Sequence, residues 1–392
     1  MLSGESVSHS DFSSSEEDEM NGTDLNRTLQ GAASILQIKE LIGRGAFGSV
    51  YKATWKGLPA AVKVIEHDDE ETHASFSPLS TGASLRSLQG IPLAAVGEEP
   101  FCTGGQDTPC AKQQEEAQGN AHMVSSNLAA TKGSQAMLEA AVSSAICHPN
   151  IVQTYDYQVV DTYQSATVLR TEANRETRII MEFCDAGSLD EAIQQGRFRS
   201  SDADPQGPAI VNLQALCLTL LDIASAMAHL HSMRIVHKDL KPKNVLLATC
   251  ADDERGFVAK VSDFGLSQLQ PDRTPSTGTA MASAGEPAGT VAYMAPEMLC
   301  YANCSRACDV YAFGILVWEL YTGDPPYEQL SKVQIMFGVM SQDLRPEFPP
   351  AAPAWLTDLA CQCWACSPAA RPSFAEVRRM LHDRALQLQP AV

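Results

Sequence analysis

The 392-residue sequence has few basic residues for its size, with 28 lysines and arginines against 47 aspartates and glutamates and a formal net charge of −19. A protein that binds a nucleic-acid backbone needs a basic face, and so does one that docks on an anionic membrane surface. The charge balance therefore argues against both kinds of partner. It still allows one anionic cofactor, bound locally by glycine-rich backbone, a few lysines and a metal ion.

Long apolar runs are also missing. The N-terminus, MLSGESVSHS, has no basic stretch followed by an apolar core, as a secretory signal would. No segment approaches the run of about 18 apolar residues that a membrane helix needs. The most apolar window, VYAFGILVW at 310–318, is short and predicts a buried helix. We expect a globular intracellular protein, cytoplasmic by preference over nuclear, without membrane insertion.

The paired CxxC spacing of a zinc site is absent too. Neither cysteine group has paired CxxC spacing with nearby histidines. Cys300, Cys304 and Cys308 repeat every fourth residue, as the buried side of a helix can, and three more cysteines crowd into 361–366. We predict core thiols, because a free cysteine behaves as a small hydrophobe.

The residues that are present divide the chain into patterned and unpatterned stretches. Residues 1–34 are rich in Ser, Asp and Glu and predict a disordered acidic tail. Strand-like alternation begins at Ile35 and returns in SVYKATW and LPAAVKVIE. Periodicity is weak over about 67–135, which predicts a low-complexity insertion, and a second insertion is predicted over 161–176.

Helical patterns dominate from Leu189 onward. The longest runs from about Ala209 to Met233, with apolar residues at helical spacing. Strands first and helices afterwards predict an α+β protein with two lobes instead of alternating βαβ units.

Gly43, Gly45 and Gly48 have GxGxxG spacing, which lets the backbone approach phosphates closely. The spacing alone is weak evidence, because glycine-rich hairpins and dinucleotide folds share it. A dinucleotide site would open a helix directly after the glycines. The strand-like SVYKATW follows instead, so we predict a hairpin over its ligand and no nicotinamide site.

Lys63 stands inside an apolar strand, where an unpaired buried charge is costly. A side chain that reaches out to solvent is the simpler interpretation of the tripeptide alone. If Lys63 is buried, it needs a carboxylate, and three are candidates. Glu139 lies in a predicted helix, whereas Glu115 and Glu116 lie in the insertion.

The segment HKDLKPKNVLL at 237–247 places Asp239 among lysines, and by itself it could be a solvated loop with weak ion pairs. Asp263 in the later DFG adds a further carboxylate. Mg²⁺ takes few protein oxygens and fills its remaining positions with phosphate and water. We interpret Asn244 and Asp263 as metal ligands. Asp239 would orient and deprotonate a hydroxyl, and Lys241 would offset the negative charge on the transferred phosphoryl group.

From about Ile35 to Leu386 the chain resembles a eukaryotic protein kinase domain. The motifs that carry the resemblance, all in the family's order, are GRGAFGSV, AVKVI, HPNIV, MEFCDAGSL, HKDLKPKNVLL, DFG, GTVAYMAPE, DVYAFGILVWEL and RPSF. It implies a bilobal α+β fold over 35–386, with a mainly antiparallel β N-lobe at 35–183 that carries one key helix. The mainly α-helical C-lobe spans 184–386, and 387–392 form a tail.

The resemblance also implies the site residues. Lys63 would hold the α- and β-phosphates of ATP and pair with Glu139, whose position before HPNIV fits the family's spacing. Asp239 would be the catalytic base, Lys241 would assist the γ-phosphate, and Asn244 and Asp263 would hold Mg²⁺.

The implied ATP pocket lies under the glycine hairpin, whose Gly43, Gly45 and Gly48 would cover the phosphates. Four apolar side chains would sandwich the purine, two backbone segments would hydrogen-bond it and a methionine would close the pocket: in that order Ile42, Val50, Ala61 and Leu246, then Glu182 and Cys184, then Met181. Further off, Glu297 would pair with Arg371, and Asp309 would brace the catalytic loop.

The implied activity is Mg²⁺- and ATP-dependent phosphorylation of serine and threonine in protein substrates, with a role in signalling. DLKPKN and GTVAYMAPE resemble the serine/threonine pattern, and the tyrosine-kinase-like group is the most similar subgroup. A pseudokinase scaffold is disfavoured because Lys63, Asp239, Asn244 and Asp263 are all present. A small-molecule kinase is disfavoured by the APE-type segment, which shapes a peptide-docking shelf.

Two features depart from the family pattern. Lys238 replaces the usual arginine, whose planar fork grips an activation-loop phosphate better than the point charge of lysine does. We therefore expect activation to depend less on loop phosphorylation than is usual. The long insertion before the Glu139 helix either regulates that helix or is an inert tether, and loop-closure costs favour the inert tether.

Overall fold

The computed structural model describes residues 36–45, 48–67, 132–163, 173–199, 211–269, 290–301 and 304–388. The predictions of a disordered tail at 1–34 and of an insertion over 68–131 lie outside the described residues. The described residues form two lobes, as the α+β prediction expects.

The N-lobe is built on a five-stranded antiparallel sheet in the order β1-β2-β3-β5-β4. Its strands are β1 (Leu36–Gly45), β2 (Gly48–Trp55), β3 (Leu58–Glu66), β4 (Thr154–Tyr163) and β5 (Ala173–Glu182). Helix α1 (Lys132–Ser144) packs on one face through Ala136 and Ala140, which meet Ile65 of β3 and Ile179 of β5. The helix is thereby held against the middle of the sheet.

Both predicted insertions include residues that belong to regular secondary structure. Residues 132–135 already belong to α1. Strands β4 and β5 continue to the pair Tyr163↔Ala173, so the ends of the predicted 161–176 insertion are hairpin arms. Strand β4 is an edge strand of the sheet. The arms are rich in polar residues, such as Asp161 and Thr162 in β4 and Asn174 and Arg175 in β5, and these hide the apolar alternation on which a sequence prediction relies.

The C-lobe is mainly helical. Its helices are α2 (Leu189–Gln194), α3 (Leu213–Ser232), α4 (Pro296–Tyr301), α5 (Arg306–Thr322), α6 (Lys332–Ser341), α7 (Ala354–Cys363) and α8 (Phe374–Leu388). Four short strands, β6 (Ile235–Val236), β7 (Val245–Thr249), β8 (Phe257–Val261) and β9 (Gln268–Leu269), form two antiparallel pairs, β6–β9 and β7–β8. These pairs lie at the ends of the loops that carry the candidate site.

Helix α3 lies in the C-lobe core and buries Leu216, Leu220 and Ile223 completely. It begins later than predicted, because the side chain of Asn212 caps it by accepting a hydrogen bond from the N–H of Ala215. By length and composition it is the one helix in the described ranges that could cross a membrane. In this fold its apolar side chains are instead part of the main hydrophobic cluster.

The prediction that Cys300, Cys304 and Cys308 share the buried side of one helix was wrong. Helix α4 ends at Tyr301 and α5 begins at Arg306, so the fourth-residue spacing crosses a break between two helices. Cys300 is exposed, Cys304 is half-buried and Cys308 is buried. In the second group, too, only one thiol lies in the core: Cys363 is buried, whereas Cys361 and Cys366 are exposed.

Helix α5 is buried along most of its length, and Gly314 allows α7 to approach it closely. A Cβ at Gly314 would lie 3.0 Å from Cβ of Cys363 and 3.2 Å from both the carbonyl oxygen of Ala360 and the backbone nitrogen of Trp364. These atoms belong to α7 or its C-cap and cannot rotate away as the end of a flexible side chain could.

We expect Gly314→Ala to lower the free energy of unfolding by about 1–3 kcal/mol in urea titrations, because α7 must shift to accept the methyl group. Alanine in place of an uncrowded helical glycine would instead stabilise by roughly 1 kcal/mol. A more stable variant would show that the α5–α7 contact has slack.

Candidate active site

The glycine motif forms the predicted hairpin between β1 and β2. Gly43 pairs with Val50, and Gly45 pairs with Gly48. Gly48 has φ +128°, and a Cβ there would overlap the carbonyl oxygen of Val64. Only glycine fits this position, which fixes the turn against β3.

Lys63 lies in the middle of the sheet, on β3 between Val50 of β2 and Ile179 of β5. Its Nζ lies 2.6 Å from Oε1 of Glu139 and 2.7 Å from Oδ1 of Asp263. The lysine is therefore buried and paired, and it does not reach out to solvent. Its predicted helix partner is in place.

Two carboxylates compensate for the burial of Lys63. Burial alone would lower the pKa of the ammonium, but attraction to Glu139 and Asp263 and the hydrogen bonds to both outweigh it and raise the pKa above its usual value. For Asp263, burial acts to raise the pKa, but Lys63 outweighs that effect and lowers it. Lys63 and Asp263 are therefore both ionised at neutral pH, so the site holds a fixed positive and a fixed negative charge.

Asp263 follows β8 and takes a left-handed backbone conformation, with φ +65°. Such a conformation is uncommon outside glycine and is typical of functional sites. It directs the carboxylate across to Lys63 of the N-lobe, 200 residues earlier in the chain. This ion pair thus joins the two lobes at the cleft.

Asp239 lies in the loop between β6 and β7, with its carboxylate 8% exposed. Oδ2 accepts hydrogen bonds from Nζ of Lys241 at 2.6 Å and from Nδ2 of Asn244 at 2.9 Å. Nδ2 of Asn244 also donates to the backbone oxygen of Asp239 at 2.8 Å. Because both bonds use the amide nitrogen, Oδ1 is the atom of Asn244 that could bind a cation.

Asn244 is tied to the strand end that carries Asp263. The N–H and the hydroxyl of Ser262 donate to the backbone oxygen of Asn244 at 2.8 and 3.0 Å. Ser262 precedes Asp263, so the two predicted metal ligands are held by one short bridge. The structure therefore brings these hard oxygen donors together at one end of the β7–β8 hairpin.

Asp309, in the first turn of α5, braces the loop as predicted. Its carboxylate accepts the N–H groups of His237 at 2.9 Å and Lys238 at 2.8 Å, and it lies 2.8 Å from Nε2 of His231. Lys238 has φ +71°, a left-handed conformation that these hydrogen bonds hold in place. The side chain of Asp309 is 1% exposed, so this contact is fully inside the C-lobe.

The residues expected around a purine come from the glycine hairpin, from β3, from the end of β5 and the segment after it, and from β7. Ala61 of β3 faces Met181 of β5, and Leu246 of β7 bridges to Ser188 in the segment after β5. Ile42 is largely exposed and Val50 is half-buried on the glycine hairpin. Near the end of β5, burial raises the pKa of the Cys184 thiol to about 12.

The backbone of Glu182 is only half available for a ligand. Its N–H donates to the carbonyl of Gln153 at 2.8 Å, so its carbonyl is the group left for a purine. Its carboxylate lies 3.0 Å from Nζ of Lys260. Sequence reasoning missed Gln153 and Lys260, because neither stands in a recognisable motif.

The predicted pair between Glu297 and Arg371 is present and bidentate, with N–O distances of 2.6 and 2.9 Å. The arginine side chain is fully buried. Burial acts to raise the pKa of Glu297, but the hydrogen bonds from Arg371 outweigh it and lower the pKa. This pair fastens α4, which begins at the Pro296 of GTVAYMAPE, to the segment before α8.

A contact between Tyr293 and Glu319 was not predicted. The tyrosine hydroxyl donates to the carboxylate of Glu319, at the far end of α5. Burial raises the pKa of Glu319 to about 7, and Asp190 adds to the shift, whereas the bond from Tyr293 and the charge of Lys243 reduce it. The available signal was a glutamate directly after the most apolar window of the chain.

The chain is similar in sequence to known protein kinases. The family model described as protein tyrosine and serine/threonine kinase matches residues 107–381. Serine/threonine-protein kinase STY17 of Arabidopsis thaliana is 33% identical over 205 residues, which cover 52% of this chain and 32% of that protein. Mitogen-activated protein kinase kinase kinase 12 of Rattus norvegicus is 37% identical over 204 residues, covering 52% and 20%.

A third relative aligns along most of this chain. Mitogen-activated protein kinase kinase kinase 11 of Homo sapiens is 27% identical over 351 residues, which cover 88% of this chain and 31% of that protein. The chain thus spans between 20% and 32% of the length of these three curated relatives.

The raised pKa of Glu319 makes stability depend on pH. An acid whose pKa is raised by folding binds its proton more tightly in the folded state, so stability increases as pH falls from above 7 toward its ordinary value of 4.5. We expect the thermal midpoint to fall between pH 6 and pH 8, and to fall less in Glu319→Gln, which keeps an acceptor for Tyr293 without a charge.

Tyr293→Phe is the matched control, because it removes the hydrogen bond but leaves the buried carboxyl. Its midpoint should keep the full pH dependence. Equal pH dependence in the wild type and Glu319→Gln would contradict the assignment to Glu319.

Proposed function

The chain belongs to the protein tyrosine and serine/threonine kinase family, and we propose that it transfers the γ-phosphate of ATP to serine and threonine hydroxyls of protein substrates. The observation that carries the proposal is the contact of Lys63 with both Glu139 and Asp263. It joins a sheet lysine, a helix carboxylate and a C-lobe carboxylate under a glycine hairpin. Each has the charge and position that a polyphosphate with its metal requires.

Members of this family use ATP and Mg²⁺, and the residues present fit both. Asp263 is ionised, and Asn244 has its amide oxygen available, so both offer the hard ligands that Mg²⁺ prefers. When bound, Mg²⁺ neutralises phosphate charge. Lys63 would hold the α- and β-phosphates, with Gly43, Gly45 and Gly48 above them and the purine among the pocket residues described above.

Asp239 is the group that we assign to the proton of the substrate hydroxyl. It would orient the hydroxyl and accept its proton as the oxygen attacks. Lys241, with Nζ 2.6 Å from Oδ2 of Asp239, would balance charge on the transferred phosphoryl group. Asn244 holds Asp239 from the other side through its amide nitrogen.

Serine and threonine are the proposed acceptors because the catalytic segment keeps Lys241 in DLKPKN and GTVAYMAPE supplies Thr290. Thr290 is exposed, and the residues after it form the 3₁₀ turn Val291–Tyr293 that leads into α4. The names of the three relatives also support a serine/threonine-directed or signalling activity.

Lys238 supports a further part of the proposal, reduced dependence on activation-loop phosphorylation. Its backbone conformation is held by Asp309, which is inside the protein and needs no phosphate. A lysine binds a phosphate as a point charge and makes a weaker grip than the planar fork of arginine. The catalytic loop would then be ordered by α5 whether or not the activation loop is phosphorylated.

The first test is phosphotransfer from labelled ATP to a peptide array by the wild type and by Asp239→Asn. We expect the substitution to lower the rate by roughly 10²–10⁴-fold, because the proton acceptor is lost. Nucleotide binding should persist in this variant, whereas Asp263→Asn should weaken the Mg²⁺-dependent part of nucleotide binding. A wild type that binds nucleotide without turnover would favour a scaffold instead.

The second test replaces five loop acceptors, Thr274, Ser276, Thr277, Thr279 and Ser283, with alanine. These residues lie outside the described part of the chain. We expect the variant to keep most of the wild-type activity, because Asp309 already orders the catalytic loop. Near-complete loss of activity, with an unchanged thermal midpoint, would refute the reduced dependence on phosphorylation.

A further inference from the structure

Two thiols meet at the start of α5. Cys304 directly precedes the N-cap residue Ser305, and Cys308 is the third residue of the helix. The side chains of Cys304 and Cys308 are hydrogen-bonded to each other. Sγ of Cys308 also lies 3.4 Å from the N–H of Ser305 and 3.3 Å from Oε1 of Glu297.

The two thiols have different surroundings. Cys304 is half-buried, so solvent reaches it, whereas Cys308 is buried. The hydrogen bond from Cys308 and the charge of Lys238 lower the pKa of Cys304, although burial opposes them. Hydrogen bonding to Cys304 and burial raise the pKa of Cys308. A thiolate is therefore favoured on the more accessible sulfur, at the positive end of a helix.

Other cysteines of the C-lobe differ from this pair. Burial raises the pKa of Cys217 to about 11 and also raises that of Cys363. Such thiols attack a peroxide slowly at neutral pH, because the thiolate is the nucleophile. Cys308 shares the raised pKa, but it would attack a sulfenic acid that forms on its hydrogen-bond partner. Cys300 is exposed, but it lies on α4, on the other side of the helix break.

We propose that Cys304 and Cys308 form a dithiol that reacts with hydroperoxides and closes to a disulfide, which weakens the anchor between Glu297 and Arg371. This modification site goes beyond the proposed kinase activity. Cys304 is the attacking group and Cys308 is the resolving group.

The chemistry balances with one hydroperoxide. The Cys304 thiolate attacks one peroxide oxygen, the O–O bond breaks, and the released hydroxide or alkoxide takes a proton, which leaves a sulfenic acid on Cys304. The sulfur of Cys308 then attacks the sulfur of Cys304, an S–S bond forms and the S–OH bond breaks. The hydroxyl group leaves as water with the proton of Cys308. Two thiols are oxidised by two electrons, and the peroxide is reduced.

Disulfide closure acts on the anchor through Glu297. The single S–H of Cys308 is offered both to Sγ of Cys304 and to Oε1 of Glu297. The bridge removes this donor from both, because the sulfur is then bonded to Cys304. The same Oε1 accepts the 2.6 Å hydrogen bond from Arg371. A small cavity beside Cys308 is also lined by Lys238 and Asp239. A shift of the Cys308 sulfur would therefore change the surroundings of these two residues of the catalytic loop.

The sequence supplies a direct assay for the bridge. Arg306 lies between the two cysteines, so trypsin separates them, and the disulfide is read as two linked peptides by mass spectrometry. The full chain is treated with hydrogen peroxide, its free thiols are blocked, and it is digested with and without dithiothreitol. We expect linked Cys304 and Cys308 peptides in the wild type and in the control variant Cys300→Ser, and their release by dithiothreitol.

Two variants separate the roles of the sulfurs. In Cys308→Ser the sulfenic acid on Cys304 cannot be resolved, so dimedone should label Cys304. In Cys304→Ser, Cys308 should remain unoxidised. Absence of the linked peptides under conditions that oxidise the exposed Cys300, or equal oxidation of Cys308 in Cys304→Ser, would overturn the assignment.

The effect on the anchor is measured as phosphotransfer after peroxide treatment. Activity should be lost in the wild type and Cys300→Ser, return with dithiothreitol, and persist in Cys304→Ser, which lies outside the catalytic machinery. A linked wild type with unchanged activity would overturn the coupling to Glu297. Failure of the proposed function is distinguishable, because the untreated protein would then be inactive while the peptides still link.

Discussion

The ammonium of Lys63 is the group on which the site depends, because it is bound at once by a helix and by the other lobe. Glu139 comes from α1 and Asp263 from the end of β8, and each lies within 2.7 Å of the same nitrogen. The lysine is nearly fully buried, and a buried charge persists only when it is paired. The position of α1 and the closure of the lobes are therefore linked through one atom.

Asp309 has a corresponding role inside the C-lobe. It is buried, and its carboxylate is hydrogen-bonded to two backbone N–H groups and lies within hydrogen-bond distance of a histidine ring. Backbone donors fix the path of the chain and not only the position of a side chain. These hydrogen bonds hold the left-handed conformation of Lys238, and that conformation sets the direction of the backbone at the next residue, Asp239. The geometry of the catalytic loop is thus set by the first turn of α5.

The sequence was most informative where a motif requires one residue type at one position. The hairpin at Gly48, the Lys63–Glu139 contact and the Glu297–Arg371 contact were all expected, since each rests on a motif. The Tyr293–Glu319 contact was not, because it joins two segments by tertiary packing that no local pattern encodes. The hairpin arms near Tyr163 were missed because an edge strand need not alternate.

The cysteines show how a correct spacing can mislead. A fourth-residue repeat predicts one helical face only if the helix is continuous, and here it is interrupted between Tyr301 and Arg306. Because of the interruption, Cys304 lies just before the N-cap of α5, where it is half-buried and interacts with Cys308 and Lys238. Cys308 and Asp309 are neighbours in the first turn of α5. Cys308 contacts Glu297, and Asp309 contacts the catalytic loop. A displacement of the first turn of α5 would therefore move both residues together, because they share the backbone of that turn.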